Sequence, residues 1–216
     1  MPNARPPIDS RERLLRAGLA LARRRGIKAL TVRAVAAKAE ANLGSFVHHF
    51  GTRDAFVEAL IERWYAPLMA QLQLSVEGAA DARDALRRVL LQLVRWLIDN
   101  RAFVAHVVVD AGAGEAGARR FLRSFDQRHP ALVLALITQA QHDGLLRRAP
   151  PLHQMLFLMS TLAAPVLAFH LLGASGSLPP EFARTMSTFV TELPHVEARL
   201  DWALRGLAPD LPGRKR

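Results

Sequence analysis

Apolar residues recur at helical spacing along almost the whole chain, and no useful stretch alternates apolar and polar residues as a β-strand would. Four segments in the first third each begin at a residue whose side chain can cap a helix, namely Asp9, Thr31, Asn42 and Thr52. The first segment ends at Gly26, and the fourth continues through Trp64 and beyond. Because short neighbouring helices cannot each bury a face alone, they are predicted to pack as a small bundle.

Beyond residue 78 the predicted helices lengthen, and the loops between them contain Gly, Pro and Ser. These helices are predicted at residues 79–100, 102–110, near 118–126, 130–142, 151–172 and 180–205, with a Gly-rich break at 111–117 and a stop at Gly144. The chain is therefore predicted to be all-α. A small N-terminal bundle covers residues 1–66, a larger C-terminal helical domain covers 67–208, and a basic tail covers 209–216.

The composition of the chain excludes several classes of protein. Among its 216 residues there is no cysteine, which rules out a disulfide framework, a thiolate zinc site and a cysteine nucleophile. Hydrophobic residues make up 50% and charged residues 22%, which is an ordinary globular balance. The N-terminal residues lack the uninterrupted apolar stretch of a secretory signal, so a cytoplasmic protein is expected.

The formal net charge of +10 is unevenly distributed. Residues 1–64 hold 12 Lys and Arg against 6 Asp and Glu, whereas the remaining residues hold 17 against 13. A compact basic segment indicates a module that binds a polyanion, either nucleic acid or an anionic membrane. The alternative is a general preference for arginine, since the chain has 26 Arg and 3 Lys. Charge alone does not separate these two interpretations.

The sequence pattern at residues 32–51 has the spacing of a helix-turn-helix, in which the second helix enters the major groove of DNA. That spacing is a weak signal by itself, but the residues around it are specific. The segment TVRAVAAKAEANLGSFVHHFGTRDAFVEAL, residues 31–60, resembles the TetR family of transcriptional regulators. The matching positions are Thr31, Val32, Arg33, Val35, Ala36, Ala39, Gly44, His49 and Phe50, and Arg53 to Phe56 stands for the family's Lys-x-x-Leu.

The resemblance and the helix geometry together suggest a set of DNA contacts. The candidates are Thr31, Arg33, Asn42, Leu43, Ser45, Val47, His48, His49 and Arg53. Thr31 and Arg53 are expected at phosphates, and Arg33 at a phosphate or a guanine edge. Leu43 and Val47, four residues apart, are expected to contact thymine methyl groups. His49 is equally compatible with a packing role, and Phe46, Phe50 and Phe56 are expected in the core.

Three positions depart from the family pattern. Glu40 occupies the turn where glycine is usual, and a positive φ at a non-glycine residue costs about 1 kcal/mol. Asn42 replaces Ser or Thr as the cap of the recognition helix, which is a conservative change. Val47 stands where the family usually has a tyrosine that reaches a phosphate, and valine cannot make that hydrogen bond. The operator sequence therefore does not follow from the resemblance.

Residues 149–180 contain no charged residue, and the apolar run within them is about as long as a transmembrane helix. Polar residues and Pro165 interrupt the run, and no flanking positive pattern supports a membrane topology. The resemblance implies instead that the last two long helices form a homodimer interface, with no membrane partner. The candidate interface residues are Leu162, Val166, Leu167, His170, Phe189, Val196 and Leu200.

Aromatic and other apolar residues earlier in the C-terminal domain can line a ligand pocket or form ordinary core. The pocket candidates are Trp96, Phe103, His106, Phe121, Phe125 and Phe157. The resemblance implies a small-molecule effector whose binding releases the DNA, and the apolar candidates suggest a hydrophobic one. The histidines are scattered without ligand spacing, so neither a metal nor a cofactor is expected.

The sequence thus predicts a ligand-responsive transcriptional regulator, most simply a repressor that binds a palindromic operator in double-stranded DNA as a homodimer. No catalytic residues are predicted, because the sequence has no Ser-His-Asp elbow, phosphate loop or paired-carboxylate motif. Two alternatives remain open at this point. One is a helical ligand-binding or interaction protein with a degenerate helix-turn-helix, and the other is an enzyme.

Overall fold

A computed structural model of the chain describes residues 9–209. The helices within this range are α1 (Ser10–Arg25), α2 (Val32–Lys38), α3 (Leu43–Phe50), α4 (Arg53–Glu77), α5 (Ala82–Gly112), α6 (Ala116–Arg123), α7 (His129–His142), α8 (Pro151–Ala174), α9 (Pro180–Thr191) and α10 (Leu193–Gly206), with a 3₁₀ turn at Ser124–Gln127. The described residues include no strand, so the all-α prediction is confirmed. The predicted basic tail lies outside the described residues except for residue 209.

The N-terminal helix boundaries follow from local capping. Asp9 accepts a hydrogen bond from the Arg11 amide, and Gly26 ends α1 with a φ of 81°. The Thr52 hydroxyl accepts from the Ala55 amide at 3.1 Å and so caps α4. Such caps satisfy amide groups that have no partner inside the helix, which is why the sequence alone locates these ends.

Two predicted boundaries in the C-terminal part are wrong. The predicted helices at 79–100 and 102–110 are one helix, α5, because the Asn100 side chain donates to the Trp96 carbonyl one turn back and does not interrupt the helix. The predicted helix at 180–205 is two helices, because Glu192 is extended (φ −76°, ψ 133°) and lies between α9 and α10. Pro194 lies in the first turn of α10, where its missing N–H is tolerated.

The helices form two compact units. Among the described residues, the first unit contains 9–66 together with Ala102–Ser124, and the second contains Pro67–Arg101 and 125–209. The sequence-based division at residues 66 and 67 assigns 102–124 to the C-terminal domain, whereas the contacts assign them to the first unit. The end of α5 and all of α6 therefore belong with the helix-turn-helix.

The first unit has a core of two aromatic clusters. Phe46, Phe50 and Phe56 pack with ring centroids 4.9–5.5 Å apart, as their predicted core role requires. The second cluster joins Trp64 to Phe103 at 4.6 Å and Tyr65 to Phe121 at 5.2 Å. Helix α1 fits closely against α4, since a Cβ on Gly18 would lie 2.4 Å from the Phe56 ring. These contacts fix the position of the helices that carry the candidate site.

The second unit is built around α8, which packs against α7, α9 and α10. Leu158, Leu162 and Val166, four residues apart, form one fully buried line along α8. Val196 and Leu200 of α10 are likewise fully buried. At the edge of this core, Arg87 pairs with Asp201 at 3.0 Å and Arg95 with Glu197 at 3.1 Å. The ion pairs join the first part of α5 to α10.

Candidate nucleic-acid interface

Helix α2 is capped by Thr31, whose hydroxyl accepts a hydrogen bond from the Ala34 amide at 3.1 Å. Val35 and Ala36 are buried and hold the helix in the first unit, whereas Thr31 is exposed and Arg33 lies at the surface of the same turn. The Arg33 guanidinium, beside the start of α2, is therefore open to an anion in solvent. A helix N-terminus with this arrangement is suited to a phosphate group.

The turn between α2 and α3 contains the predicted left-handed residue. Glu40 has a φ of 51° and is the one non-glycine residue with positive φ in the described range. The Ala41 amide donates to the Ala36 carbonyl at 3.0 Å and closes the turn. The sequence departure at this position is therefore accommodated within a normal helix-turn-helix geometry.

Helix α3 has one buried side and one exposed side. Phe46 and Phe50 point into the aromatic core, and the Asn42 side chain caps the helix by accepting from the Ser45 amide at 2.7 Å. On the other side Leu43 is 47% exposed and Val47 is 57% exposed. Asn42, Ser45 and His48 lie beside them, with at least part of each residue accessible to solvent. We call Asn42, Leu43, Ser45, Val47 and His48 the outer face of α3.

His49 does not belong to this outer face. Its Nε2 lies 2.6 Å from the Ser10 hydroxyl, and the ring is half-buried beside His48 and Phe50. The sequence left a packing role and a phosphate role equally open for this residue. The geometry favours the packing role, in which His49 joins the start of α1 to the end of α3.

Arg11 is a cation near α3 that the sequence patterns did not single out. Its guanidinium lies over the Phe50 ring at 5.5 Å from the centroid, and the residue is exposed. Stacking on an aromatic face fixes the position of a charge that is still accessible to a ligand. Sequence patterns missed Arg11 because the contact joins two helices that are distant in the sequence.

Arg53 has a different role from the one predicted. Its Nε donates to the Leu30 carbonyl at 2.7 Å, and one of its terminal nitrogens donates to the Ile27 carbonyl at 2.9 Å. The two terminal nitrogens also donate to the Glu115 carboxylate at 3.1 and 3.2 Å. Because these bonds occupy most of the guanidinium, the expected phosphate contact is replaced by a contact within the first unit.

The predicted ligand-pocket residues are divided between the two units. Phe103, His106 and Phe121 belong to the first unit, where Phe103 and Phe121 are buried in the second aromatic cluster. Trp96, Phe125 and Phe157 belong to the second unit, and Phe157 is 43% exposed on α8. The sequence analysis left open whether these residues line a pocket or form ordinary core. Phe103 and Phe121 are core residues of the first unit.

Two open cavities in the second unit have linings that mix charged and apolar surface. One has a volume of about 350 Å³ and is lined by Asp81, Arg83, Asp84, Arg87, Asp201, Leu204 and Arg205. The other, of about 560 Å³, is lined by Gln141, Gly144, Leu146, Arg147, Arg148, Ala149 and Pro209. Neither lining includes a predicted pocket residue. Among the described residues no cluster of three His, Asp or Glu side chains has the arrangement of a metal site.

The predicted dimer residues divide into two groups. Leu162, Val166, Val196 and Leu200 are at most 1% exposed within one chain, so the structure corrects their assignment. They were chosen by apolar character, and their side chains are used in the chain's own core. Leu167 and His170 are half-buried, and Phe189 is 48% exposed, so the interface role of these three stays a prediction.

The large apolar side chains that are exposed on the last three helices include only Phe189 of the predicted dimer residues. The full set is Leu152, Leu156, Phe157, Leu171, Leu172, Phe182, Phe189, Leu193 and Trp202, and we call it the apolar face of α8–α10. Within α8, residues Pro151–Gly173 have a mean hydropathy of 2.0, and only 17% of the most apolar stretch is buried. By length and composition this helix also meets the criterion for a membrane span. Large exposed apolar side chains are the kind of surface through which proteins bind partners.

Comparison of the sequence with known proteins finds similarity to one family of regulators. Residues 14–60 match the model of the tetR family of bacterial regulatory proteins. A stretch of 137 residues, covering 63% of this chain and 69% of the relative, is 28% identical to the HTH-type transcriptional repressor NemR of Escherichia coli strain K12. The match includes more than the helix-turn-helix, because it is almost three times as long as the segment that fits the family model.

Solved structures share the fold at lower identity. A transcriptional regulator from Rhodococcus sp. Rha1 is 22% identical with a TM-score of 0.63, over 94% of this chain and 100% of the other. A putative transcriptional regulator from Saccharomonospora viridis, solved in complex with choline, is 16% identical with a TM-score of 0.67, over 91% and 95% of the two chains. Residues 14–60, with the capped α2 and α3, therefore match the helix-turn-helix segment of the tetR family, and the chain shares its helical fold with solved regulators of this type.

Proposed function

We propose that this chain is a repressor that binds a palindromic operator as a homodimer and is released by a small molecule. The observation that carries the proposal is the outer face of α3, where apolar and polar side chains are exposed on a helix whose other side is fixed by Phe46 and Phe50. A helix held in this way can enter the major groove without losing core contacts.

The contacts to DNA divide into positioning and base recognition. Thr31 and Arg11 meet phosphates, and Arg33 reaches a guanine edge or a phosphate, since all three lie at the surface beside α2 or α3. Leu43 and Val47 contact thymine methyl groups, and Asn42, Ser45 and His48 supply hydrogen bonds to base edges or to the backbone. Arg53 and His49 act indirectly, because their polar groups are engaged with Glu115 and Ser10.

The homodimer forms through the apolar face of α8–α10. This surface contains Trp202 at 64% exposure and Leu156 at 56%, which a single soluble chain would leave in water. A two-fold dimer places two copies of α3 about one turn of DNA apart, roughly 34 Å, and so accounts for a palindromic operator. A partner subunit accounts for the apolar α8 without a membrane, and the protein is then cytoplasmic.

The effector is a small molecule that binds among the C-terminal helices, and its hydrophobic character is an expectation from the apolar candidates in the sequence. The choline bound to the Saccharomonospora viridis protein supports a small ligand for this fold. The repressor name of the Escherichia coli relative, together with the sequence pattern, supports release of DNA as the response to the effector rather than catalysis.

Selection from a random duplex pool tests this function. The purified chain is expected to enrich a palindrome whose half-sites lie about 10 base pairs apart, in keeping with the dimer geometry. Enrichment of a single half-site would argue for a monomer. The absence of any enriched sequence would favour the alternative of an interaction protein with a degenerate helix-turn-helix.

A further inference from the structure

The loop between α1 and α2, residues 26–31, is held by a carboxylate from far along the chain. Asp110, near the end of α5, is 8% exposed. Its Oδ2 accepts hydrogen bonds from the Ile27 amide at 2.6 Å and from the Lys28 amide at 3.1 Å. A buried carboxylate with two amide donors is a strong and directional contact, since charged hydrogen bonds are worth more than neutral ones.

Gly26 allows this contact to form. Its φ of 81° turns the chain at the end of α1, and a Cβ at this position would lie 2.9 Å from Asp110 Oδ2 and 3.3 Å from His106 Nδ1. A larger residue would therefore push the carboxylate away from the amides. The loop conformation and the carboxylate position depend on each other.

Glu115, at the start of α6, holds the same loop from its carbonyl side. Its side chain is 8% exposed and pairs with Arg53, which donates to the carbonyls of Ile27 and Leu30. Asp110 therefore fixes the amides of the loop, and Glu115 fixes its carbonyls through Arg53. Leu30 directly precedes Thr31, the cap of α2.

Helix α6 is also tightly seated on α4. A Cβ on Gly117 would lie 2.4 Å from Val57 Cγ1, and Arg120 pairs with Glu58. The part of the chain that carries Asp110 and Glu115 therefore has little freedom to move without moving the start of α4.

We propose that Asp110 and Glu115 are positioning residues for DNA binding, which fix the α1–α2 loop and through it the capped start of α2. The two carboxylates make the orientation of the helix-turn-helix depend on the end of α5 and on α6. A shift of this segment away from the loop lowers operator affinity although no DNA-contacting residue changes. This inference rests on the proposed function, since it assigns a role in operator binding.

The test compares Asp110→Asn and Glu115→Gln with Asp99→Asn, an exposed carboxylate on the same helix as Asp110. Amide hydrogen exchange of residues 26–31 is measured in the full chain without DNA, and operator affinity is measured by fluorescence anisotropy. Loss of the charged acceptor is expected to speed exchange at Ile27 and Lys28 about tenfold and to weaken operator binding about tenfold in D110N. E115Q is expected to weaken operator binding in the same direction, and D99N to leave both quantities unchanged.

Two results would overturn the inference. The first is unchanged exchange of the loop amides in both variants, and the second is faster exchange with unchanged operator affinity. If D110N does not fold by circular dichroism, E115Q, which keeps an acceptor at the same position, decides between these outcomes. A wild-type chain that binds no operator contradicts the proposed function instead. The exchange measurement then decides by itself whether the carboxylates hold the loop.

Discussion

Arg53 donates hydrogen bonds to both carboxylate oxygens of Glu115, at 3.1 and 3.2 Å, across 62 residues of sequence. The sequence predicts that Arg53, at the start of α4, contacts a DNA phosphate. In this chain the guanidinium instead joins three parts of the first unit, namely the α1–α2 loop, α4 and α6. The helix-turn-helix is therefore stabilised by a segment that lies far beyond it in the sequence.

Replacing Arg53 with alanine is expected to lower the free energy of unfolding by about 3 kcal/mol, because it leaves the buried Glu115 carboxylate without its partner. Urea denaturation at neutral pH measures the change. Arg63→Ala is the matched control, since Arg63 pairs with Glu12 at the surface and is expected to cost less than about 1 kcal/mol. Equal losses for the two variants would contradict the structural role of Arg53.

Replacing Arg33 with alanine is expected to weaken operator binding by about 1–3 kcal/mol if the guanidinium reaches a guanine edge. The residue is exposed, so no loss of stability should accompany the change. Anisotropy titrations on the operator and on variants at single base pairs measure the effect. An equal loss on all sequences would identify a phosphate contact, and no loss on any sequence would remove Arg33 from the interface.

Introducing glutamate at Leu156 is expected to dissociate the proposed dimer, because the side chain is 56% exposed on α8 and the proposed interface would bury a charge there. Sedimentation velocity should show a shift from the dimer mass to the monomer mass. Leu74→Glu serves as control, since Leu74 is 67% exposed on α4, outside the apolar face of α8–α10. A sedimentation coefficient of L156E equal to that of the wild type would refute this interface.

Stability is expected to fall in mild acid because of His129, the first residue of α7. Burial, and secondarily the charge of Arg128, lowers the pKa of His129 from 6.5 to about 4. The unfolded chain then takes up a proton below pH 6.5 that the folded chain does not bind until about pH 4, so stability is lost as the pH falls through this window. At pH 5 the loss reaches about 2 kcal/mol.

Urea denaturation at pH 7 and pH 5 tests the role of His129. The wild type should lose more stability between these two pH values than His129→Gln, which has no imidazole to titrate. His142→Gln is the control, because His142 is 83% exposed and should keep the pH dependence of the wild type. The same pH dependence in H129Q and in the wild type would contradict the assignment.

The parts of the fold that were predicted correctly depend on local chemistry. Thr31, Asn42 and Thr52 cap helices within three residues of themselves, and Glu40 takes a positive φ at a turn defined by its neighbours. A short stretch of sequence contains all that these features require. The family resemblance rests on the same local pattern, which is why the helix-turn-helix was located correctly.

The parts that the sequence did not determine depend on contacts between distant residues. Apolar positions such as Leu162 cannot be assigned to core or interface without the neighbouring helices, and the structure buries Leu162 within the chain while it leaves Leu156 exposed. The role of Arg53 depends on Glu115, and the role of His49 depends on Ser10. No pattern near these residues contains their partners, so the sequence identifies the residues but not their functions.

The most direct test of the central claim is a mobility-shift titration of the full chain on DNA from its own promoter region, repeated at about 50 and 200 mM salt with scrambled DNA as competitor. A sequence-selective complex of one dimer per palindrome is expected, with an affinity that falls steeply with salt because several phosphates are contacted. Binding that is equal on promoter and scrambled DNA, or no binding at either salt concentration, would contradict a role as an operator-binding regulator.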